Sequence, residues 1–177
     1  MYTIYIVDMV NVDIDSAVGF RLGSRGISIA VVIASVYAAL TVVLGSFGYS
    51  WIQIRISEAL TPLPFIFGPP AILGLTLGVI IANLFSPVGL ADIIFGPLLT
   101  LIAAVLSWKF SYGQRLIACT YPVIINALGV SAYIASFYGV PYTMSVISIG
   151  VGEFIAAVLL GYPLLKALEG TQLVNKR

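Results

Sequence analysis

The sequence contains no histidine, one cysteine and very little charge, with 8 Lys and Arg and 7 Asp and Glu among 177 residues. Without histidine, the commonest general base and the commonest transition-metal ligand are both missing. A lone Cys119 excludes an internal disulfide. A formal net charge of +1 leaves no broad basic surface for nucleic acid. No P-loop, GxSxG, HExxH or paired-aspartate motif of the membrane phosphotransferases is present. The expectation is a protein that is not an enzyme and carries no cofactor of its own.

Scarce charge also excludes a water-facing surface. A soluble domain carries about 25% charged residues, whereas this chain has 8%, with 60% hydrophobic residues. Its solvent is therefore lipid. The apolar runs are too long for the strands of a membrane barrel and lack period-2 alternation. The expected fold is an all-α integral membrane protein, a bundle of six transmembrane helices in the plasma membrane.

The six helices are expected at 27–47, 51–67, 71–85, 90–108, 116–137 and 142–168, separated by turns rich in Gly, Pro and Ser. Pro62 and Pro64 should bend or loosen the second half of helix 2. Residues 1–26 read as an N-terminal cytoplasmic tail or interfacial segment, 27–169 as the membrane domain, and 170–177 as a C-terminal tail. Residues 1–26 lack the pattern of a cleaved signal peptide. Arg21 and Arg25 precede helix 1, Lys109 and Arg115 lie between helices 4 and 5, and Lys166, Lys176 and Arg177 follow the last span. The loops after helices 1, 3 and 5 carry no Lys or Arg. With six spans, every basic segment falls on one side, so both termini are expected in the cytoplasm.

Four charged residues interrupt the apolar runs: Arg55, Glu58, Asp92 and Glu153. A charge at the centre of a membrane helix costs about 2.5–3.5 kcal/mol on insertion scales. It persists when it pairs, faces a wet cavity or binds something. Counting along the helices puts all four, with Asn83, in the outer half of the bundle or near its midplane. A pocket open to the outside is the expected cause. Each residue also has a purely structural reading. Arg55 and Glu58, three apart, can pair with each other. Asp92 can serve only as a first-turn acid. Asn83 can simply close a helix end. Glu153 is harder to explain so, because its own helix offers no basic neighbour.

The aromatics Tyr49, Trp51, Phe85, Tyr138 and Tyr142 sit at the expected outer ends, where an aromatic belt accounts for most of them. One or two of them are expected to stack on a flat ring, and Tyr138 is placed among the substrate-binding residues. Two small-residue rows stand at spacing four, Ala30, Ala34 and Ala38 in helix 1 and Gly74, Gly78 and Ala82 in helix 3. Such rows let helices approach closely, inside the chain or on a second protein.

Three blocks carry a resemblance. Arg55-Ile56-Ser57-Glu58-Ala59-Leu60-Thr61, Gly74 through Phe85, and Gly89-Leu90-Ala91-Asp92 through Leu101 together resemble the QueT family. Its members are substrate-binding (S) components of energy-coupling factor transporters, associated with uptake of queuosine precursors such as an aminomethyl 7-deazaguanine. Pro62 departs from the more apolar run expected there. The resemblance implies a site open to the outside, a membrane coupling protein and two ATPase subunits as partners, and ATP used by those partners alone. It also implies that Ala30, Ala34 and Ala38 dock on the coupling protein. The implied substrate site combines Glu58, Arg55, Asn83, Asp92, Glu153 and Tyr138. Glu58 takes the adjacent N–H donors of the guanine-like edge, and either Asp92 or Glu153 neutralises the aminomethyl arm. Two other readings stay open, a self-sufficient proton-coupled carrier using Glu153 and a packing subunit that binds no small molecule.

Overall fold

The structure, a computed structural model, describes residues 23–48 and 55–171. The expectations for residues 1–22, Tyr49, Trp51 and the last six residues lie outside the described residues. All described regular structure is helical. Helix α1 spans Ser24–Gly48, α2 Pro64–Phe67, α3 Pro69–Asn83, α4 Leu90–Lys109 and α5 Arg115–Tyr138. Then α6 spans Tyr142–Glu153, winds into a π-helical stretch over Phe154–Leu160, and continues as α7 over Gly161–Glu169. Four stretches are long and apolar enough to cross a membrane, Ser24–Leu44, Leu90–Lys109, Arg115–Tyr138 and Tyr142–Glu169. Two more, Ile56–Phe67 and Pro69–Asn83, are apolar but shorter.

The expected helix over 51–67 needs correction where it is described. Arg55 has extended backbone, with φ −99° and ψ 106°, and a 3-10 helix follows over Ile56–Leu60. The two prolines are the reason. Pro62 and Pro64 have no N–H to give to the carbonyls four residues back. The chain instead makes tighter bonds three residues back, from Thr61 N to Glu58 O at 3.1 Å and from Leu63 N to Leu60 O at 3.0 Å. The Thr61 hydroxyl also donates to Glu58 O, at 2.6 Å. Regular helix resumes at Pro64, where a missing N–H costs nothing.

Helices α1 and α3 make the closest approach. A methyl group added at Gly74 would lie 2.6 Å from the Ala30 carbonyl oxygen, and one at Gly78 would lie 3.0 Å from both the Ala34 oxygen and Tyr37 Cβ. Ala30, Ala34 and Ala38 are buried in this contact. The two small-residue rows therefore pack against each other. This is the packing inside the chain that such rows allow.

Contacts along the bundle define its two ends. Gly68, which precedes α3, packs on Trp108 near the end of α4. Ala30 in the second turn of α1 meets Gly74 in the second turn of α3. Arg115 at the start of α5 pairs with Glu169 at the end of α7 at 2.5 Å. The start of α1, the α4–α5 loop and the end of α7 thus share one end, which also holds Lys109 and Lys166. We call it the basic end. A core of Leu63, Ile66, Ala71, Leu75, Cys119 and Leu165 fills the bundle near it. A smaller cluster of Val88, Ile134 and Ile149 closes the opposite end. The candidate site lies between the two.

Candidate functional site

The site is lined by residues from every long helix and from the 3-10 segment. Tyr37 comes from α1, Arg55 and Glu58 from the 3-10 segment, and Val79 from α3. Asp92, Gly96 and Thr100 come from α4, Asn126, Val130 and Tyr133 from α5, and Ile149 and Glu153 from α6. These walls enclose a small, partly open cavity of about 20 Å³.

Local sequence places each charged group. Asp92 sits in the first turn of α4, with its N–H bonded to Gly89 O at 3.1 Å. Gly89 precedes the helix with φ +72°, a conformation that favours glycine. Glu58 lies in the middle of the 3-10 helix that the prolines impose. Glu153 is the last residue before the π-helical stretch, a wider winding often found at functional sites.

The three acids share one pattern. Glu58 Oε1 accepts from the Tyr37 hydroxyl at 2.5 Å, Asp92 Oδ1 from the Tyr133 hydroxyl at 2.6 Å, and Glu153 Oε1 from Asn126 Nδ2 at 2.9 Å. In each, the second oxygen is buried without a hydrogen-bond partner. All three carboxyl groups are at least nine-tenths buried. Leaving such a polar group unsatisfied costs about 1–3 kcal/mol, and more for a charged one. The fourth buried orphan is the Ser131 hydroxyl, two residues before Tyr133.

Arg55 is the one basic group in the lining. Its guanidinium Nη2 stands 3.6 Å from Asp92 Oδ2, an ion pair too long for a hydrogen bond. The purely structural alternative, Arg55 paired with Glu58, gives way to a contact across to α4. Among the described residues, no three of His, Cys, Asp and Glu lie close enough together to hold a metal ion. The acids surround one cavity but stand apart. That spacing suits separate groups on an organic molecule.

The family model described as QueT transporter matches residues 27–170 of the chain. The chain belongs to the QueT transporter family. With its four long apolar helices, it is a multi-pass membrane protein. No curated protein and no solved structure matches it.

The structure brings together Arg55, Glu58, Asp92 and Glu153 from the sequence-predicted set, but not Asn83 or Tyr138. Asn83 is buried outside the lining, and its Nδ2 donates to the Asp92 carbonyl oxygen at 2.7 Å. It closes α3 onto the first turn of α4. A side chain at Gly96 would strike that amide, so Gly96 and Asn83 fit together behind Asp92. Tyr138 is 47% exposed at the end of α5 and meets the ring of its neighbour Phe137 edge-on, at 5.0 Å between ring centroids. Sequence reasoning missed Tyr37, Asn126 and Tyr133, the three donors that hold the acids. Asn126 and Tyr133 stand seven apart on α5, two helical turns along one face. That spacing was the available signal. Tyr133 also stacks on Phe95, 5.8 Å between centroids, and lines the pocket together with Tyr37.

Proposed function

We propose that this QueT family protein is the substrate-binding component of an energy-coupling factor transporter, capturing from outside the cell a queuosine precursor of the 7-deazaguanine type in its aminomethyl form. The observation that carries this reading is the set of three buried carboxyl groups, each held on one oxygen and without a hydrogen bond on the other, beside a single guanidinium. A carboxylate grips two adjacent N–H donors, and a second carboxylate takes an ammonium group. An aminomethyl deazaguanine offers both. Glu58 takes the guanine-like edge, and Glu153, held only by the neutral Asn126 amide, takes the arm. Arg55 and Asp92 orient the ring, and Tyr133 offers its face for stacking.

The arrangement of charge supports six membrane crossings with both termini in the cytoplasm. Arg25, Lys109, Arg115 and Lys166 lie toward one end, and the pocket lies beyond the core that fills the bundle near it. The stretches over 56–67 and 69–83 supply the second and third crossings. Energy comes from partners, a membrane coupling protein and two ATPase subunits that use ATP.

The competing reading, a self-sufficient proton-coupled carrier, is favoured only by the buried Glu153. Proteoliposomes separate the two. The purified chain alone should take up no aminomethyl deazaguanine under a proton gradient. Uptake should appear when the coupling protein and ATPases are co-reconstituted with ATP inside. Gradient-driven uptake by the chain alone would establish the carrier instead.

A further inference from the structure

The pocket holds three carboxyl groups and, among its described residues, one basic group. Asp92 has the Arg55 guanidinium at 3.6 Å. Glu58 shares the 3-10 segment with Arg55 and accepts the Tyr37 hydroxyl. Glu153 differs from both, because its one hydrogen-bond donor is the neutral amide of Asn126. The groups around the cavity from every element are Tyr37 on α1, Arg55 and Glu58 on the 3-10 segment, Asp92 on α4, and Asn126 and Tyr133 on α5. Two of these are acids, two are neutral phenols, one is an amide, and the single cation is already engaged with Asp92. Glu153 therefore faces surplus negative charge in a membrane interior, where an uncompensated ion is costly.

We infer that Glu153 is the residue that makes the site select a cation, by holding a proton in the empty pocket and surrendering it when a ligand ammonium arrives. This rests on the proposed function and adds to it an exchange of charge. The step balances. The Glu153 O–H bond breaks, the carboxylate keeps the electron pair and takes the ammonium as its partner, and the proton leaves through the mouth of the pocket. Net charge in the cavity is the same before and after. A neutral ligand of the same shape cannot make the exchange. With it bound, Glu153 stays protonated and contributes no ion pair.

Linkage gives the direction of the pH effect. Because binding releases a proton, affinity rises with pH, by up to about tenfold per unit, until Glu153 is already ionised in the empty site. The ligand amine must itself stay protonated, which an alkylammonium does below about pH 9.

Two measurements on the full-length protein in detergent test the inference. The first is calorimetry with the aminomethyl deazaguanine in buffers of different ionisation enthalpy, beside the uncharged analogue bearing a nitrile in place of the aminomethyl group. Close to one proton should leave per aminomethyl ligand and none per nitrile ligand. In Glu153→Gln the release should vanish, and the preference for the amine should fall by about tenfold or more. Binding of the amine to wild type without proton release would overturn the inference and leave the proposed function standing. No binding of either compound would overturn both. The second measurement needs no ligand and no folded variant beyond a control. The infrared spectrum of the empty wild-type protein should show a protonated carboxyl band that titrates away as pH rises, and Glu153→Gln should lack it. Absence of that band in wild type would refute the resident proton whatever the substrate.

Discussion

The two halves of this bundle treat buried polar groups in opposite ways. Near the basic end they are satisfied. The Ser107 hydroxyl donates to Ala118 O at 2.8 Å, Ser111 donates to Ser107 O at 2.5 Å, and Arg115 closes on Glu169. Lys109 lies 5.3 Å from the centre of the Trp108 ring. The pocket half holds all four buried side-chain oxygens that lack a hydrogen-bond partner among the described residues, those of Glu58, Asp92, Ser131 and Glu153. A membrane protein has no water in its surroundings to repair such defects. Three of the four, the carboxylate oxygens of Glu58, Asp92 and Glu153, line one cavity, each on a group held by a neighbour through its other oxygen, and mark a place where another molecule supplies the missing partners. The basic end builds the fold, and the pocket half holds affinity in reserve.

This contrast can be broken deliberately. The largest effect on binding is expected from Glu58→Gln, which removes a charged acceptor but keeps the shape. Affinity for the aminomethyl deazaguanine should fall by about 10- to 100-fold, since hydrogen bonds to charged groups contribute about 1.5–3 kcal/mol. Unchanged affinity in calorimetry would end the role given to Glu58. A large effect of another kind is expected from Gly74→Val at the α1–α3 contact. Overpacking there should cost about 1–3 kcal/mol and appear as a lower unfolding temperature in detergent. A normal transition would mean that the two helices are not locked by their small residues.

Tyr133→Phe sharpens the comparison further. It removes the hydroxyl that holds Asp92 but keeps the ring. Binding should weaken by about fivefold, in line with one hydrogen bond of about 1 kcal/mol, with little loss of stability. An unfolded variant would instead make Tyr133 part of the scaffold. The smallest effect is expected from Arg115→Ala at the basic end. The Arg115–Glu169 pair is partly exposed, and exposed pairs contribute little. Ligand affinity in this variant should match wild type. A clear loss would show that the two ends are coupled.

How much was legible in the sequence follows from the same contrast. Charge scarcity pointed to lipid, and it made Arg55, Glu58, Asp92 and Glu153 stand out. Counting residues along each helix gave their depth correctly enough to bring them to one cavity. Depth is only half of a position, and direction around the helix decided the misses. Asn83 stands at the right level but turns to the Asp92 backbone. Tyr138 lies five residues beyond Tyr133, about 140° around α5 at about 100° per residue, so only Tyr133 enters the pocket. The neutral donors Tyr37 and Asn126 carry no charge and so drew no notice in an apolar span. The alanine row of α1 was visible, but its partner was ambiguous until Gly74 and Gly78 were found against it.

The most direct test of the account is titration calorimetry of the purified chain with the aminomethyl deazaguanine, beside guanine, a flavin and thiamine. The account predicts tight binding of the aminomethyl compound, far weaker binding of guanine, which lacks the arm, and none of the other two. Binding of guanine as tight as that of the aminomethyl compound, or no binding of either, would contradict the claim that these bare carboxylate oxygens receive a donor-rich cation.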